Sequence, residues 1–599
     1  MSELREKISK EPFLTVGRVA DRLNRRVYVV GGYVRDLLLD RKSKDIDFVT
    51  VGSGIELAEA IAAENKKARL TVFRNFGTAQ VVIRGMELEF VGARKESYNR
   101  GSRKPIVENG TLEEDLSRRD FTINALALCV NGGECFGEIV DLFGGISDLQ
   151  NGLIRTPLDP DITFSDDPLR MLRAVRFAAR LDFTIVPETM EAIRRNASRL
   201  EIISRERIAD ELCKMMQADK PSRAWILLSE TELLPLIIPE LEAMKGVETM
   251  NGRGHKDNFL HTLEVLDNVA EKSDSLWLRW AALLHDIAKP VTKRWDAKQG
   301  WTFHNHNFIG ARMVPKIFRS LKLPLNDRLK YVQKLVELHM RPIALVEEKV
   351  TDSAVRRLLF DAGEDIDDLM ILCEADITSK NAEKVRRLLK NFRIVREKMK
   401  DLEERDHIRT FQPPVDGHEI MAALGMKPTD PHDMLKIVGE LKAYVKDAIL
   451  DGHIRNDHDE ARALMLSRAS ELGFTAVEPD KNKTEGKDKM YYVSKRIEIS
   501  GSHSLELPYP SKCTQKHGHN WVITVYCRAK ELNASGMVTD FTHIKENVTG
   551  VLDHADFNEV LPFNPTAENI ARWIQERVEN CYRVEVQESE GNTAAYEID

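Results

Sequence analysis

The spacing of hydrophobic and polar positions changes along the chain. Up to about residue 165, short β-rich runs such as 27–30, 46–49, 79–83 and 88–91 alternate with helical stretches and with Gly, Asn and Pro. From residue 166 to about 473, amphipathic patterns at helical spacing dominate, as in PLRMLRAVRFAARL. Beyond residue 490, YYVSKRIEIS and NWVITVYCRAK alternate like strands, and AENIARWIQERVENCY is typical of a helix. The pattern predicts an α/β head, an all-helical middle and a small α+β domain.

Domain limits follow from the same pattern and from the chain length. A chain of 599 residues predicts about four domains at roughly 100 to 200 residues each. The segment EPDKNKTEGKDK, residues 478–489, has no aliphatic or aromatic residue and is expected to be a solvated linker. The predicted order is a head at 1–165, a helical neck at 166–250, a helical body at 251–400, a helical tail at 401–477, the linker, and a last domain at 490–599.

Composition narrows the functional classes. The 88 Lys and Arg residues against 96 Asp and Glu residues give a net charge of −8, so nucleic-acid binding would need a local basic surface. No apolar run approaches the roughly 18 to 20 residues of a membrane span, and MSELREKISKEPF lacks a signal-peptide core. We therefore expect a cytoplasmic protein without membrane contact. The 7 cysteines include no CxxC pair and are expected to be reduced thiols.

A glycine turn and a pair of carboxylates mark the head. In VYVVGGYVRDLLLDRKSKDIDFVT, Gly31 and Gly32 stand between a predicted strand and a helix, and Asp45 and Asp47 are two apart on the next strand. Period-two geometry directs both carboxylates to one face, where Mg²⁺ would relieve their repulsion and contact triphosphate oxygens. The glycines allow backbone N–H groups to approach phosphates. A solvated strand edge is the alternative interpretation.

Five segments in order give the head a family resemblance. GGYVRD, KDIDFVT, SRRDFTINALAL, DLFGGISDL and DDPLRMLRAVRF resemble the motifs of the class II tRNA nucleotidyltransferase and bacterial poly(A) polymerase family. Over roughly residues 12–470, the resemblance implies a polymerase-β-like head with a neck, body and tail that add nucleotides to an RNA 3′ end without a template. It implies catalytic Mg²⁺ ligands at Asp45 and Asp47, triphosphate contacts from Gly31, Gly32, Arg35 and Asp36, sugar and phosphate contacts from Arg118, Arg119, Asp120 and Asn124, and base contacts from Asp167 and Arg170.

The sequence leaves three points open: the product of the nucleotide addition, the role of Glu89 and the role of an arginine-rich helical face. FRNFGTAQVV resembles the FGT-type sequence of CCA-adding enzymes, and the polar segment 94–115 resembles their flexible loop, so we expect CCA addition to the tRNA 3′ end from CTP and ATP. Poly(A) addition and a non-catalytic RNA-binding scaffold are the alternatives. Glu89 is either a third metal ligand or an exposed strand residue. The arginines at 170, 173, 176 and 180 share a helical face that is either solvated or contacts RNA phosphate.

Histidines concentrate in two windows, which is where metal sites are expected. Of 16 histidines, eleven lie within 255–339 or 503–554. In the first window, His261 and His285-Asp286, followed by His306, His339 and Asp376, resemble the HD phosphohydrolase superfamily. The resemblance implies a divalent transition metal on His261, His285, Asp286 and Asp376. Hydrolysis of phosphomonoesters or cyclic phosphodiesters at RNA ends is one hypothesis, and a metal-free fold is the other.

The second window lies in the last domain. His517 and His519 are two apart on a predicted strand, and His503 has the same phase on an earlier strand, so three imidazoles could bind zinc and leave a fourth position open. Cys513 with HGH, LDHADFN, PTAENIA and VEVQES resembles the 6-pyruvoyl-tetrahydropterin synthase family over residues 490–599, which implies the small α+β T-fold. The short CTQKHGH spacing resembles the 6-carboxy-5,6,7,8-tetrahydropterin synthases of queuosine and deazapurine biosynthesis.

That resemblance implies a reaction and its residues. 7,8-Dihydroneopterin triphosphate would lose triphosphate and acetaldehyde at Zn²⁺ held by His503, His517 and His519. Cys513 would move protons with the Asp553-His554 pair, and Glu588 would anchor the pterin with help from Thr566 and Glu568. The family also implies a homo-oligomer. Formation of 6-pyruvoyl-tetrahydropterin and a degenerate domain kept for oligomerisation are the alternatives.

Overall fold

The computed structural model divides into two compact units. It describes residues 2–43, 45–65, 67–74, 77–97, 106–251, 253–347, 351–379, 381–406, 414–426, 432–475, 490–509, 511–589 and 592–598. One unit consists of Met1–Met421 with Lys427–Phe474, and the other of Ala422–Met426 with Thr475–Asp599. The linker predicted at 478–489 lies outside the described residues, as do Asn75 and Phe76 of the FGT-type segment and residues 98–105 of the polar loop.

The strands of the first unit are mostly those of the head. They are β1 Val27–Val30, β2 Ile46–Thr50, β3 Arg69–Phe73, β4 Thr78–Ile83, β5 Met86–Gly92, β6 Arg94–Ser97, β7 Ile106–Asn109, β8 Leu126–Cys129, β9 Ile139–Asp141, β10 Leu153–Ile154, β11 Thr184–Ile185, β12 Thr249–Met250, β13 Arg253–Gly254, β14 Arg294–Asp296 and β15 Gly300–Thr302. A seven-stranded sheet has the order β3-β4-β5-β2-β1-β8-β9. Within it β2 pairs parallel to β5, and the other neighbours are antiparallel.

Apolar residues determine where the strands of the head sheet form. β1, β2, β4 and β5 coincide with the β-rich runs predicted from the sequence, because valine, isoleucine and phenylalanine suit a half-buried pleated surface. Phe48 on β2 stacks on Phe90 of β5 with ring centroids 5.0 Å apart. This buried contact fixes the neighbouring strand positions, including Asp47.

Helices make up most of the chain up to residue 474. They are α1 Ser2–Ile8, α2 Phe13–Arg22, α3 Gly32–Leu38, α4 Gly54–Glu64, α5 Leu112–Ser117, α6 Gly145–Asn151, α7 Pro160–Asp166, α8 Leu169–Leu181, α9 Pro187–Asn196, α10 Arg205–Met216, α11 Ser222–Glu230, α12 Leu234–Ile237, α13 Pro239–Glu242, α14 Asn258–Ala270, α15 Leu276–Leu284, α16 Lys289–Thr292, α17 His306–Leu321, α18 Asp327–Leu338, α19 Met340–Glu347, α20 Asp352–Ala362, α21 Ile366–Ala375, α22 Ala382–Asp406, α23 Gly417–Ala423, α24 His432–Leu450 and α25 His458–Glu471.

Neck and body share one hydrophobic core, which also includes Phe121 and Phe164 before α8 and Leu450 of α24. Arg279 on α15 is buried and donates to the carbonyl oxygens of Met216 at 2.7 Å and Ala218 at 3.1 Å, at the end of α10. Since a buried guanidinium needs such acceptors, this contact fixes the body on the neck. Among the described residues, no helix combines the length and the apolar character that crossing a membrane requires.

The helical middle also contains two short hairpins, β12–β13 and β14–β15, which the sequence pattern did not predict. In the second, Asp296 accepts from the backbone N–H groups of Lys298 and Gln299, both at 2.8 Å, and Trp295 and Trp301 face each other with centroids 5.2 Å apart. Strands of two or three residues are too short to show alternation, so the difference follows from their length.

The second unit is a sheet covered by helices. Its strands are β16 Tyr491–His503, β17 His517–Ala529, β18 Ala555–Asp556, β19 Cys581–Ser589 and β20 Asn592–Glu597, in the order β18-β16-β17-β19-β20. Its helices include α26 Phe541–Leu552, α27 Phe557–Val560 and α28 Ala567–Gln575. Trp521, Phe557 and Ile570 are buried between the two layers. The α+β class predicted for this segment is the one observed.

Candidate functional site

The two predicted carboxylates of the head lie at the start of β2. Asp47 is its second residue, whereas Asp45 precedes the strand instead of standing on it. Glu89 on β5 is the direct neighbour of Asp47 in the parallel pair. Burial raises the pKa of Asp47 to about 6, Glu89 and Asp45 add to this effect, and Arg119 opposes it. Asp47 and Glu89 thus present carboxylates from neighbouring strands, and oxygen donors of this kind are the ligands that Mg²⁺ prefers.

The backbone conformation at Gly31 explains why a glycine stands in this turn. Gly31 has φ of 71° and ψ of −132°, a region that side chains avoid, and it caps α3. A Cβ atom on Gly31 would lie 3.0 Å from the Nη1 atom of Arg119. The turn therefore leaves room for a guanidinium beside the backbone N–H groups.

A hydrogen-bond network connects this turn to the neck. The buried Arg35 donates to Asn124 Oδ1 at 2.8 Å and pairs with Asp36 at 2.7 Å. Asn124 donates to Asp120 Oδ1 at 3.0 Å, and Arg173 Nε donates to Asp120 Oδ2 at 2.7 Å. Burial would raise the pKa of Asp120, but Arg173 and Asn124 outweigh it and hold that pKa below its usual value. Asp120 is thus an ionised link between head and neck.

Ion pairs with Asp115 orient the side chains of Arg118 and Arg119. The carboxylate of Asp115 is buried and contacts Arg118 Nη2 at 2.5 Å and Arg119 Nη2 at 3.0 Å. Burial opposes ionisation, yet the two guanidinium groups keep the pKa of Asp115 below its usual range. Sequence reasoning missed Asp115, although an acid three and four residues before two arginines on a helix signals such a pair.

These groups line one cleft of about 460 Å³. Its walls comprise Gly31, Gly32, Arg35, Asp47, Arg118, Arg119, Asp120, Asn124, Asp167, Leu169, Arg170, Arg173, Arg176, Phe177, Arg180 and Arg207. The cleft gathers all the predicted nucleotide contacts except Asp36, whose carboxylate pairs with Arg35. A wall this rich in guanidinium groups suits a polyphosphate.

Asp167 and Arg170, the predicted base-reading pair, stand where α8 begins. Asp167 Oδ1 accepts from the Leu169 backbone N–H at 3.2 Å, and its Oδ2 lies 3.4 Å from Arg207 Nη2. Arg170 donates to the carbonyl oxygen of Arg118 at 2.7 Å. Both side chains are therefore oriented by neighbours on the head and the neck.

The arginine face of α8 fits neither predicted interpretation in full. Arg176 is buried and pairs with Glu211 at 2.6 Å, so it is not solvated. The guanidinium groups of Arg35, Arg173 and Arg176 lie 5.0, 5.4 and 4.2 Å from the ring centre of Phe177. Phe177 thus provides an aromatic face for three cations that line the cleft. Contact of this helix with RNA phosphate stays a prediction.

In the body, six side chains from five helical segments meet in the core. Two overlapping triads share Asp286, and within each the ligand atoms lie within 4.8 Å of one another: His261, His285 and Asp286, and Asp286, His306 and His339. Asp376 adds a carboxylate 2.9 Å from His261 Nε2. The structure brings together all four predicted HD residues and adds His306 and His339 as candidate ligands.

The imidazoles of this cluster are oriented by backbone contacts. The Nδ1 atoms of His285, His306 and His339 contact the carbonyl oxygens of Ala282, Phe303 and Val336 at 2.8, 2.8 and 2.7 Å. Each Nδ1–H therefore donates to a carbonyl oxygen, and each Nε2 points into the cluster. The Nε2 atoms of His306 and His339 are only 3.2 Å apart. Two facing lone pairs at that distance fit a bound cation.

Asp286 stands between the two groups of imidazoles. Its Oδ2 is 3.2 Å from His285 Nε2 and 2.5 Å from Lys289 Nζ, and its Oδ1 is 3.3 Å from His306 Nε2. Within the described residues, His285 Nε2 and Asp286 Oδ2 are buried without a well-aligned hydrogen bond. Burial and His285 lower the pKa of His339 to about 3, which leaves it neutral. The donor set fits a divalent metal.

The second histidine cluster lies at the end of the β16–β17 pair. His503 opposes His517 in the register, and the ring centres of His503, His517 and His519 are 4.7 to 5.4 Å apart. His503 Nδ1 contacts Pro565 O at 2.9 Å, and His517 Nδ1 contacts Gln515 O at 2.7 Å. Within the described residues, the Nε2 atoms of His503 and His519 are buried without a well-aligned hydrogen bond. Three inward imidazoles fit zinc.

Glu588 completes this cluster. Its Oε1 lies 3.0 Å from His503 Nε2 and 3.5 Å from His519 Nε2. The family resemblance predicts that Glu588 anchors the pterin, whereas in the structure its carboxylate contacts two of the predicted zinc ligands. A pocket of about 840 Å³ opens beside it, lined by Ser500, Gly501, Ser502, Gly518, His519, Asn520, His554, Ala555, Asp556, Glu588 and Ser589.

The other predicted residues of this domain have separate local contacts. Cys513 is a half-buried thiol in the turn before β17. Asp553 accepts from Ser500 N–H at 3.0 Å, and its carboxylate is 4.0 Å from His554 Nε2, beyond a hydrogen bond. The His554 side chain is 82% exposed. Thr566 caps α28, whose first turn contains Glu568. A contact between Cys513 and the Asp553-His554 pair stays a prediction.

Comparison with family models matches four segments. The models are "Poly A polymerase head domain" at residues 27–155, "Probable RNA and SrmB-binding site of polymerase A" at 182–245, "HD domain" at 258–381 and "6-pyruvoyl tetrahydropterin synthase" at 492–599. The chain is also 33% identical over 454 residues to the A-adding tRNA nucleotidyltransferase of Deinococcus radiodurans, covering 74% of this chain and 95% of that protein.

The chain belongs to the tRNA nucleotidyltransferase and poly(A) polymerase family.

Further similarities agree with this family. The Multifunctional CCA protein of Shewanella frigidimarina is 32% identical over 340 residues, which is 54% of this chain and 78% of that protein. The solved structure of a CCA-adding enzyme in apo form I shares the fold, with a TM-score of 0.51 and 23% identity over 81% of this chain and 98% of the other. As a member of this family, the chain is a nucleotidyltransferase that also carries an HD domain and a pterin-synthase-like domain.

Proposed function

We propose that this nucleotidyltransferase adds CCA to tRNA 3′ ends, using CTP and ATP. The observation that carries the proposal is the cleft in which Asp47, the arginine wall and the Asp167–Arg170 pair come together. Asp45 and Asp47 would hold Mg²⁺, which offsets the charge of the triphosphate during in-line transfer. Gly31, Arg35, Arg118 and Arg119 would orient the triphosphate toward those carboxylates.

The base-reading pair suits C and A for a chemical reason. Both bases present an exocyclic amino donor next to an unprotonated ring nitrogen, whereas U and G present a carbonyl next to a ring N–H. Asp167 supplies an acceptor and Arg170 supplies donors, which is the complement of C and A. Because Leu169 N–H and Arg207 already orient Asp167, selection would not require the pair to be ordered by the nucleotide.

Addition of A alone is a second candidate, because the Deinococcus radiodurans relative is named an A-adding tRNA nucleotidyltransferase. Poly(A) addition is the third. Incubating the protein with tRNAs that end before CCA, after C and after CC, each with CTP and ATP, separates the three. CCA addition predicts completion of every substrate. Reaction of only the CC-ended tRNA would favour A addition, and a run of A residues would favour poly(A).

We propose that the C-terminal domain converts 7,8-dihydroneopterin triphosphate into 6-carboxy-5,6,7,8-tetrahydropterin. The inward imidazoles of His503, His517 and His519 beside an open pocket support the proposal. They would hold Zn²⁺, which acidifies the side-chain hydroxyls of the substrate. Cys513 and the Asp553-His554 pair would move protons, and Glu588, with Thr566 and Glu568, would hold the pterin ring.

Acetaldehyde identifies this reaction. One water is consumed, and triphosphate and acetaldehyde leave as the carboxylate forms. Formation of 6-pyruvoyl-tetrahydropterin would release triphosphate alone. Incubating the full chain with 7,8-dihydroneopterin triphosphate should release one acetaldehyde per triphosphate. Release of triphosphate without acetaldehyde would favour the pyruvoyl product, and release of neither would contradict both.

For the HD cluster we propose a metal-dependent phosphohydrolase that acts on phosphomonoesters or cyclic phosphodiesters at RNA ends. The two triads that share Asp286 support it, since inward lone pairs and a buried carboxylate are suited to a transition metal that activates water. His285→Ala with Asp286→Asn in the full chain should remove bound metal and hydrolysis of a 2′,3′-cyclic nucleotide, and leave nucleotide addition intact. Equal metal content in this variant and the unmodified chain would contradict the proposal.

The C-terminal domain is proposed to assemble with copies of itself. The family resemblance implies this assembly, and the exposed His554 at the rim of an open pocket leaves one side for another copy to cover. Light scattering after size exclusion should give a mass of several chains. A mass of one chain at catalytic concentrations, with full pterin turnover, would contradict the assembly.

A further inference from the structure

Two cysteines of the head have no part in the sites above, yet their sulfur atoms are only 2.9 Å apart. Cys129 is buried at the end of β8, and Cys135 is half-buried in the turn toward β9. Gly133 within this turn has φ of 84°, a conformation that glycine tolerates and that lets the chain fold back over β8. The fold therefore holds two thiols in contact close to the surface.

A cation distinguishes the two thiols. Arg26 Nη1 donates to the Cys135 sulfur at 2.7 Å, and the Cys129 thiol is placed to donate to the same atom. This contact places a positive charge directly beside the Cys135 sulfur. Burial, together with the hydrogen bond to Cys135, raises the pKa of Cys129 to about 12, so Cys129 keeps its proton. Cys135 is the accessible nucleophile, and Cys129 is the thiol beneath it.

We infer that Cys129 and Cys135 are a redox modification site, where a hydroperoxide converts the two thiols into a reversible disulfide. The Cys135 thiolate attacks one peroxide oxygen, the O–O bond breaks, and the other oxygen leaves as an alkoxide or hydroxide that takes a proton from water. Cys135 is then a sulfenic acid. The Cys129 sulfur attacks the Cys135 sulfur, the S–O bond breaks, and the Cys129 proton leaves with the oxygen as water. The peroxide takes up two electrons, and a dithiol reductant reverses the change.

The geometry requires little movement. The sulfur atoms need to approach by less than about 1 Å to reach the roughly 2.05 Å of a disulfide bond. Cys129 pairs with Tyr28 in the β1–β8 register, three residues before Gly31, which places it about 10 Å along the strand from the glycine turn. The bond would therefore form outside the nucleotide cleft. The inference does not rest on the proposed reactions.

Peptide mapping of the full-length protein tests the site. Residues 120–154 contain no Lys or Arg, so trypsin leaves both cysteines in one peptide that ends at Arg155. Exposure of the reduced protein to hydrogen peroxide should remove two hydrogens from this peptide, and dithiothreitol should restore them. Cys213 is a half-buried thiol elsewhere in the chain, so in the control variant Cys213→Ser the Cys129–Cys135 peptide should oxidise at the same rate as in the unmodified protein. A peptide that keeps its mass while the Cys135 thiol stays alkylatable would overturn the inference.

Variants separate the two roles. Cys129→Ser should leave a sulfenic acid at Cys135 that dimedone captures, whereas Cys135→Ser should leave Cys129 unmodified. Arg26→Gln should slow disulfide formation by about tenfold or more, and Arg26→Lys should restore most of the rate, because lysine keeps a positive charge beside the Cys135 sulfur. Circular-dichroism melting curves check that each variant folds. Capture at Cys129 in place of Cys135 would contradict the roles assigned to the two thiols, and an unchanged rate in a folded Arg26→Gln would contradict the role assigned to Arg26.

Discussion

The head cleft and the C-terminal pocket differ in both their candidate metal ligands and their charge. The head offers oxygen donors and surrounds them with arginines, whereas the C-terminal pocket adjoins three imidazoles and one carboxylate. Among the described residues that line the C-terminal pocket there is no Lys or Arg. Both proposed substrates carry a triphosphate. The head is therefore suited to hold the triphosphate itself, and the C-terminal pocket to act on the carbon skeleton beside its metal ligands.

The largest expected effect is on nucleotide addition, and it tests whether the head works independently of the C-terminal domain. Asp47→Asn should lower the rate of nucleotide addition about ten-thousandfold. The substitution removes one negative charge from the proposed Mg²⁺ ligands, and a bound metal ion stabilises the transition state by several kcal/mol. Zinc content and pterin turnover should not change. Asp40→Asn is the matched control, an exposed aspartate with φ of 53°, which asparagine tolerates. Loss of both activities in the Asp47 variant would contradict the separation.

Next is the thiol of the C-terminal domain. Cys513→Ala should reduce pterin turnover about a thousandfold, since proton transfer by a positioned group contributes this order of magnitude. Zinc content, measured by mass spectrometry of the metal, should stay at the level of the unmodified protein. Cys213→Ser serves as the control. Unchanged turnover would rule out Cys513 as the proton-transfer group.

A smaller effect is expected on metal binding. His519→Ala should weaken zinc binding about a hundredfold, because one of three nitrogen donors is lost, and nucleotide addition should be unaffected. His543→Ala, on the exposed side of α26, is the matched control. Competition with a zinc-binding dye measures the change. Equal affinity in the two variants would show that the metal is not held at this cluster.

The smallest effect tests how the neck supports the cleft. Arg173→Gln should raise the KM for CTP and ATP about tenfold, because Asp120 loses its ion pair and with it the orientation of Asn124. Arg312→Gln, an exposed arginine on α17, is the control. A lowered kcat at constant KM would indicate a role in chemistry instead of positioning.

The same pair predicts a pH dependence of stability. Since the folded protein holds the pKa of Asp120 below its usual value, the ionised pair stabilises above the ordinary carboxyl pKa, and this contribution is lost as pH falls. Between about pH 5 and pH 3, the Tm of the unmodified protein should therefore fall more steeply than that of Arg173→Gln. Parallel melting curves would show that the pair does not contribute.

Local sequence patterns predicted much of the fold. The geometry of the candidate sites could not be predicted in the same way, because it depends on pairs of residues that are distant in sequence. Strands β1, β2, β4 and β5 and the two histidine windows follow from spacing within a few residues. The neighbour relation of Asp47 and Glu89 depends on parallel pairing of two strands, which no local pattern encodes. Helical spacing placed Arg176 on a face with other arginines, but its burial depends on Glu211, 35 residues away.

The HD cluster of the body combines four imidazoles with the carboxylates of Asp286 and Asp376, so it has more carboxylates than the C-terminal cluster has. The sequence grouped its histidines by motif, and the fold then brought His306 and His339 to the other side of Asp286. That arrangement depends on how α15, α17 and α18 pack, which periodicity does not specify.

We propose that one chain carries two independent active centres, one with oxygen ligands for its metal and the other with imidazole ligands. One preparation of the full-length protein, supplied with Mg²⁺ and Zn²⁺, can be assayed for nucleotide addition to tRNA lacking its 3′ CCA and for acetaldehyde release from 7,8-dihydroneopterin triphosphate. Both products are expected from this proposal, with Asp47→Asn abolishing only the first and Cys513→Ala only the second. A preparation that catalyses one reaction alone, or variants that abolish both together, would contradict it.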